Sequence, residues 1–329
     1  MELTRRHALA GAAALAASPL LPSVLANAAA PMADKQAPSF YRYKVGDVQV
    51  TVISDGVNTF PLGDSFVPNA KKDEVAAALE KAYMPKDKVS IQFGPLVINS
   101  GGKLIVLDTG NGPGAFASSK GNVGQFATNM AAAGFDPKAV DMVVISHFHG
   151  DHINGLLNAE GAPAFANAEV LVPSVEWKYF MDDGEMAKQT GERMPGVFKN
   201  ARRVFEAGLK KKVTPYEWGK EVAPGLLAVE TAGHTPGHTS YVLSSGSGKV
   251  FIQSDVTNIP YLFAANPGWH AFFDQDAAMA EAARRKTYDM LVADKLQVQG
   301  FHYPFPGLGN VEKDGNGYRV IPAPWNPVI

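Results

Sequence analysis

One ten-residue stretch constrains this chain more than any other part of its sequence. It reads Ser-His-Phe-His-Gly-Asp-His-Ile-Asn-Gly over positions 146–155 and follows an apolar, β-branched run at 141–145. Such a run predicts a buried strand, so three imidazoles and one carboxylate stand where a strand ends and the chain turns. The whole sequence holds 8 histidines, and three of them are here. A polar turn with solvated side chains is the alternative, but this density of ligand-type residues favours a metal site.

The residue types in this stretch suit divalent metal ions. Imidazole nitrogens and carboxylate oxygens bind zinc and other first-row divalent ions. Alternate residues of an extended segment point the same way, so His147 and His149 can converge on one ion. Asp151 and His152 follow the turn and are free to face a second ion. The sequence has no cysteine, which excludes thiolate ligands and disulfides.

Length and composition indicate a folded, soluble domain. The 329 residues allow one large domain or two ordinary ones. A hydrophobic content of 46% and a charged content of 19% are typical of a chain with a sizeable core. The net charge of −2 gives no basic surplus, which argues against nucleic acid as a partner.

The N-terminus predicts export. A pair of arginines, Arg5 and Arg6, precedes an alanine-rich apolar stretch at 8–21, and an A-x-A cleavage pattern stands at 26–28. The stretch is too short and too weakly apolar to be a stable membrane anchor. We interpret it as a twin-arginine-type signal, with a Sec signal or an N-terminal helix as the alternatives. The predicted organisation is a signal peptide at 1–28, a flexible lead-in at 29–39 and one folded domain at 40–329, located in the periplasm or secreted.

Patterns of apolar and turn residues predict two sets of strands interleaved with helices. A strand is expected over 89–99, and helical patterns dominate 175–208 and 276–292. Layer rules allow two sheets packed face to face with helices outside each sheet. Spacing alone does not separate this arrangement from another α/β architecture.

Three further predicted strands each end at a residue able to bind metal. The strand near 226–231 leads to His234, the strand at 250–253 leads to Asp255, and the strand at 298–301 leads to His302. Chemistry concentrates where strands end, because the strands hold their direction while the loops vary.

The pattern at 147–152, HxHxDH, resembles that of the metallo-β-lactamase-fold hydrolases. The resemblance implies an α/β fold, an αββα sandwich in a single domain, with two divalent ions, zinc foremost. It further implies how the ligands divide: His147, His149 and His234 on one ion, Asp151, His152 and His302 on the other, and Asp255 bridging both. Asp108 and His238 are expected to support this site without binding metal, and His270 to lie at the surface or at a pocket rim.

The chemistry expected of such a site is hydrolysis. Two divalent ions about 3.5–4 Å apart can share a water and lower its pKa to about 7. Asp255 would hold the ions at that separation, and Asp151 is the candidate to pass a proton to the leaving group. No Gly-x-Ser-x-Gly pattern is present, so a covalent acyl-enzyme is not needed.

A longer resemblance, over nearly all of 40–329, is to methyl parathion hydrolase and its lactonase-like relatives. It rests on four passages: Tyr41-Arg42 with Gly46-Asp47, Ile53-Ser54-Asp55-Gly56, Gly233 to Thr239, and Phe305-Pro306-Gly307 before Gly317-Tyr318-Arg319. The implied substrate is a small lactone or aryl ester, with phosphotriester cleavage as a main or side activity. The segment 258–273 departs from this family. The predicted pocket residues are Phe66, Tyr179, Phe180, Phe198, Trp269, Phe272 and Phe273.

Two other functions remain open at this point. A mononuclear-iron dioxygenase of the same fold would use fewer ligands, and the intact Asp151 and His302 speak against it. A non-catalytic, exported metal-binding protein would bind metal without turnover. The sequence also leaves open whether the chain forms a homodimer.

Overall fold

The computed structural model describes residues 32–33 and 36–329. The predicted signal peptide lies outside the described residues, as does part of the lead-in at 29–39, so both stay predictions. Pro38–Ile329 forms one compact unit. In the part of the chain that is described, no helix has the length and apolar character needed to cross a membrane.

Strands alternate with helices along the chain. The strands are β1 (Phe40–Val45), β2 (Val48–Ile53), β3 (Gly56–Pro61), β4 (Lys88–Phe93), β5 (Leu96–Ser100), β6 (Lys103–Leu107), β7 (Met142–Val144), β8 (Glu169–Pro173), β9 (Val213–Tyr216), β10 (Glu221–Ala223), β11 (Leu226–Glu230), β12 (Thr239–Ser245), β13 (Gly248–Ser254), β14 (Gln297–Gly300), β15 (Leu308–Asp314) and β16 (Gly317–Pro322). The α-helices are α1 (Lys72–Lys81), α2 (Gly112–Ser118), α3 (Phe126–Ala132), α4 (Gly150–Ile153), α5 (Ser174–Met181), α6 (Asp183–Ala187), α7 (Arg193–Glu206) and α8 (Ala277–Asp294), and a π-helix spans Pro260–Ala264.

Two seven-stranded sheets divide the chain between them. The first has the spatial order β1-β2-β5-β6-β7-β8-β9, and the second runs in sequence order from β10 to β16. In the first sheet β6, β7, β8 and β9 pair in parallel, and in the second β13 and β14 do so. Strands β3 and β4 form a separate two-stranded sheet.

Three apolar clusters show that the sheets and helices form four layers. Side chains of β2, such as Val50, and of β11, such as Leu226, meet in the cluster between the two sheets. A second cluster packs the outer face of the first sheet against α3, α5 and α7. A third packs the outer face of the second sheet against α8 through Tyr288 and Leu291. This is the predicted αββα sandwich.

Strand β7 explains why the metal-type residues stand where they do. It lies between β6 and β8, and Val143 and Val144 are fully buried. A strand apolar on both faces fits a central, covered position in a parallel sheet. Its carboxyl end opens directly into the histidine-rich loop.

The structure corrects the strand predicted over 89–99. Two strands, β4 and β5, occupy this stretch, and Gly94-Pro95 separates them. Proline has no backbone N–H to donate to a neighbouring strand, so the pairing changes at that point. The predicted helix at 276–292 is confirmed as α8. Asp276 is its N-cap, and the carboxylate of this residue accepts a hydrogen bond from the N–H of Met279.

Candidate metal centre

The predicted ligands stand just beyond the carboxyl ends of four strands. His147 and His149 follow β7, His234 follows β11, Asp255 follows β13, and His302 follows β14. Ser254, at the end of β13, has a φ of +50°, which turns the chain sharply before Asp255.

Three imidazoles form the first ligand group. Nε2 of His147 lies 3.1 Å from Nδ1 of His149, which lies 2.9 Å from Nε2 of His234. With metal–nitrogen distances of about 2.0–2.1 Å, tetrahedral ligands place their nitrogens roughly 3.3 Å apart. The observed distances are close to this, so the three nitrogens can share one ion.

Asp255 links this group to a second one. Its Oδ2 lies 3.4 Å from Nε2 of His234 and 2.9 Å from Nε2 of His302, and its Oδ1 lies 3.2 Å from Nε2 of His152. Asp151 completes the second group, with Oδ2 3.4 Å from Nε2 of His302. The potential ligand atoms fall into three overlapping groups, each within 4.8 Å. All seven predicted ligands are therefore brought together.

Hydrogen bonds on the outer side of the rings fix which nitrogen faces inward. Nδ1 of His234 donates to the Asp274 carboxylate at 2.8 Å, Nδ1 of His152 to the Asp108 carboxylate at 2.8 Å, and Nδ1 of His302 to the Gln92 carbonyl at 2.7 Å. Each acceptor lacks a proton, so each Nδ1 carries one, and in the neutral ring the inner Nε2 presents a lone pair.

The ring of His147 is oriented in the same way, through the hydroxyl of Ser146. The Ser146 hydroxyl donates to Asp108 at 2.8 Å, so it accepts from Nδ1 of His147 at 3.1 Å. Several lone pairs and carboxylate oxygens therefore point at one another inside a buried site. Nε2 of His152 and Oδ1 of Asp255 are buried and make no hydrogen bond within the described chain. A cation satisfies this arrangement, so the residues present fit metal ions.

The two halves of the site differ in their attraction for positive charge. Burial, reinforced by neighbouring imidazoles, lowers the pKa of His147 and of His149 well below its usual range, so both stay neutral. Burial also opposes a charge on His152, but Asp255, Asp108 and Asp151 raise its pKa well above the usual range. The carboxylates thus draw positive charge, proton or metal ion, to the second group.

The two carboxylates differ in accessibility. The Asp255 side chain is 3% exposed, whereas that of Asp151 is 23% exposed. Asp255 is therefore enclosed by the ligands it would bridge. Asp151 keeps part of its surface open to solvent.

Glu176, a buried residue of α5, braces the loops that carry the ligands. Its Oε1 accepts from the N–H of Phe148, and its Oε2 accepts from the Thr235 hydroxyl and the Gly237 N–H, all at 2.8–2.9 Å. A Cβ on Gly237 would come within 2.2 Å of the Glu176 nitrogen, so glycine permits this close approach. Burial raises the pKa of Glu176 to about 7.

The predicted supporting residues take the expected places. Asp108 holds His152 and the Ser146 backbone. His238 donates to the Thr231 carbonyl through Nδ1, and its Nε2 accepts from the N–H of Asp255 at 3.0 Å, so it positions that residue from behind. His270 is partly exposed and pairs with Glu281.

The predicted pocket residues separate into two kinds. Phe66, Phe272 and Phe273 form one aromatic cluster with ring centroids 5.2–6.2 Å apart, and the Phe273 ring lies 5.7 Å from that of His234. Trp269 packs against the same cluster. These residues form one wall beside the metal centre.

Phe180 and Phe198 were expected in the pocket, and the structure corrects this expectation. Both are fully buried and pack against each other with tilted rings, the ring centroids 4.8 Å apart, in the core between the first sheet and its helices. Tyr179, half-buried, packs against the edge of the same core. A side chain with no exposed surface cannot contact a substrate.

The two large cavities of the described chain do not lie at the metal centre. One cavity of about 570 Å³ lies between α1, the segment 303–308 and the turn between β15 and β16, and another of about 730 Å³ lies near the turn between β5 and β6. Neither is lined by a candidate ligand. The convergence of ligand atoms, rather than volume, identifies the functional site.

Sequence reasoning missed Asp274, Arg284 and Glu176. Arg284 is buried, lies 3.4 Å from Asp274 and donates to the carbonyls of Val256, Pro267 and Trp269. It thereby ties the aromatic loop to the residue that orients His234. No local pattern identifies these residues, because each acts across a long separation in sequence.

The sequence profile of the metallo-β-lactamase superfamily matches residues 96–291, more than half of the chain. The chain belongs to this superfamily. The fold and the ligand geometry described above agree with that membership.

Similar curated proteins cover part of the chain. It is 28% identical to an N-acyl homoserine lactonase of Bacillus sp over 190 residues, which are 57% of this chain and 63% of that protein. It is 30% identical to a ribonuclease of Thermus thermophilus over 162 residues, 47% of this chain and 32% of that protein. The chain thus spans less than two thirds of the length of these relatives.

Solved structures match over almost their whole length. AidC, a dizinc quorum-quenching lactonase, superimposes with a TM-score of 0.80 at 24% identity, covering 87% of this chain and 98% of AidC. The hydrolase AbOPH of the β-lactamase superfamily superimposes with a TM-score of 0.80 at 27% identity, covering 89% of this chain and all of AbOPH.

Proposed function

We propose that this protein is a dinuclear metal-dependent hydrolase of lactones and aryl esters, with phosphotriester cleavage as a further activity. The observation that carries the proposal is the position of Asp255. Its carboxylate faces His152 on one oxygen and both His234 and His302 on the other. A carboxylate so placed between two groups of imidazoles suits a bridge between two ions.

His147, His149 and His234 would hold one ion, Asp151, His152 and His302 the other, and Asp255 both. Zinc is the proposed metal, because nitrogen and carboxylate ligands at these distances suit it. When bound, a pair of divalent ions would lower the pKa of a water to near neutral and would polarise the carbonyl or phosphoryl oxygen of the substrate.

The chain itself supplies orientation and proton transfer. Asp274, Asp108 and the Gln92 carbonyl fix the ring positions through hydrogen bonds to Nδ1. Asp151 is the carboxylate that a bound substrate can reach, so we assign it the proton that the leaving group requires. The aromatic wall of Phe66, Phe272 and Phe273 excludes water beside the site and suits an aryl or acyl group.

The sequence similarity to an N-acyl homoserine lactonase supports a lactone substrate, and the hydrolase AbOPH shares the fold. We also propose kinship with methyl parathion hydrolase, on the sequence passages given above. Nothing in the site requires the mononuclear-iron or the non-catalytic alternative.

Metal content and turnover, measured on one sample, test the proposal. Protein purified without chelator is analysed for metal and assayed with dihydrocoumarin, phenyl acetate, methyl parathion and an RNA oligonucleotide. We expect two ions per chain and turnover of the lactone and ester above that of methyl parathion. No turnover of lactone, ester or phosphotriester by the two-metal protein would reject the proposed function.

We further propose that the protein is exported by a twin-arginine pathway and acts in the periplasm or outside the cell. The paired Arg5 and Arg6 before the apolar stretch are the basis of this proposal. Replacing both arginines by lysine should retain the protein in the cytoplasm, whereas a Sec signal would tolerate the change. Cell fractionation distinguishes the two results.

A further inference from the structure

Arg193 places a guanidinium at the rim of the metal centre. It is the first residue of α7, its Nη2 donates to the carbonyl of Phe273 at 2.8 Å, and its guanidinium carbon lies 5.7 Å from the centroid of the Phe272 ring. The Phe273 ring packs edge-on against the imidazole of His234. Arg193 is therefore held by the two aromatic residues that wall the site.

The positive charge of Arg193 reaches the ligands. Burial lowers the pKa of His149 most, His234 lowers it next, and the positive charge of Arg193 lowers it further. Burial also lowers the pKa of Arg193 itself, against the opposing charge of Asp274. The guanidinium is thus partly withdrawn from water, although the residue as a whole is exposed.

No acid neutralises this guanidinium by contact. Among the described residues, no carboxylate lies within the 4.0 Å of an ion pair from Arg193. Asp274, whose charge Arg193 senses, uses one oxygen for His234 and the other for Arg284. The guanidinium donates to the Phe273 carbonyl through Nη2 and to the Met194 sulfur, 3.6 Å away, through Nη1. Its remaining N–H groups have no carboxylate partner among the described residues.

We infer that Arg193 forms an anion subsite, and that the preferred ester or lactone carries a carboxylate away from the bond that is cleaved. This inference rests on the proposed function. The planar guanidinium fork matches a carboxylate with two parallel hydrogen bonds. A single guanidinium balances one negative charge, which fits a carboxylate better than a phosphate dianion. Phe272, 43% exposed, offers apolar surface to the hydrocarbon between the two groups.

Two esters that differ only at the far end of the acyl chain test the subsite. Phenyl hexanoate ends in a methyl group, and monophenyl adipate of equal chain length ends in a carboxylate. We expect the metal-loaded wild type to prefer the adipate. Arg193→Met should lower the ratio of the two kcat/KM values about tenfold, mainly through the KM of the adipate, since charged hydrogen bonds contribute this much or more. Arg193→Lys should retain part of the preference, and salt should weaken it.

Lys199→Met is the matched control, because Lys199 is an exposed cation of the same helix. It should leave the ratio of the two kcat/KM values as in the wild type. An equal ratio in wild type and Arg193→Met, or an equal loss in Lys199→Met, would overturn the subsite.

Equilibrium binding separates failure of the subsite from failure of the proposed function. Adipanilic acid and hexananilide are the amide counterparts of the two esters and resist hydrolysis. Tighter binding of adipanilic acid that Arg193→Met abolishes supports the subsite even if neither ester is turned over. Equal binding of the two anilides to wild type would overturn it, even where ester turnover upholds the proposed function.

Discussion

The carboxylate of Asp274 accepts a hydrogen bond from Nδ1 of His234 at 2.8 Å. Its other oxygen faces the buried guanidinium of Arg284, which also donates to carbonyls of the loop before α8. Asp274 thus fixes both the proton position and the ring orientation of a predicted ligand. The loop that forms the aromatic wall is anchored to the same pair of side chains, so metal binding and pocket shape share one support.

Asp274→Ala should weaken metal binding about 10–100-fold, because His234 loses the partner that orients its ring. Competition with a chromophoric zinc chelator measures this. Asp274→Asn, which keeps an oxygen acceptor for Nδ1, should lose less. Asp294→Ala, which removes an exposed carboxylate at the end of α8, should bind metal as the wild type does. Unaltered affinity in Asp274→Ala would show that its hydrogen bond does not support ligation.

His302→Gln should reduce the metal content from two ions per chain to one. The second ligand group then keeps only Asp151, His152 and the shared Asp255. Lactone turnover should fall by about two orders of magnitude or more, because hydrolysis in such sites needs both ions. His270→Gln is the control, since His270 pairs with Glu281 outside the cluster, and it should retain both ions. Two ions in His302→Gln would remove His302 from the predicted ligand set.

Much of the fold could be predicted from local patterns. The helix α8 and the strand β7 before the histidine-rich loop follow from residues close together in sequence. The αββα layers were implied by the resemblance that the HxHxDH pattern carries, because the spacing of the elements alone does not distinguish this architecture. The pairing of β3 with β4 in a separate sheet could not be predicted. It depends on the break at Gly94-Pro95 and on long-range contacts that no single segment specifies.

The ligand set was predicted more completely than its surroundings. His147, His149, Asp151 and His152 are adjacent in sequence, so their pattern is visible. Glu176 and Asp274 act through hydrogen bonds to residues 28 to 61 positions away in the chain, and nothing near them in sequence marks that role. The sequence also does not distinguish aromatic residues of the core from those of a pocket, because a phenylalanine fits either place and only its burial in the structure separates the two.

Phe198→Leu should lower the free energy of unfolding by about 1–2 kcal/mol, since it removes part of a fully buried ring from the core. The KM of the folded enzyme for phenyl acetate should change little. Phe272→Ala should do the opposite, raising KM severalfold at small cost in stability, because the ring is 43% exposed beside the site. Urea denaturation and steady-state kinetics on both variants check this. A larger change in KM for Phe198→Leu than for Phe272→Ala would show that Phe198, and not Phe272, contacts the substrate.

The buried Glu176 should make stability depend on pH. Burial raises its pKa from 4.5 to about 7, so between these values the folded state holds a proton that the unfolded state has released. The free energy of unfolding therefore falls as the pH rises from about 4.5 to 7 and stays lower above that. The contribution of this one group is on the order of 3 kcal/mol.

Glu176→Gln should flatten this dependence, because an amide does not titrate in this range. Urea denaturation at pH 5 and pH 8, with equal metal loading, measures the change for each protein. The wild type should lose on the order of 3 kcal/mol more than Glu176→Gln between the two pH values. Glu206→Gln, which alters an exposed carboxylate of α7, should behave as the wild type does. An equal loss in Glu176→Gln and wild type would show that Glu176 stays ionised in the fold.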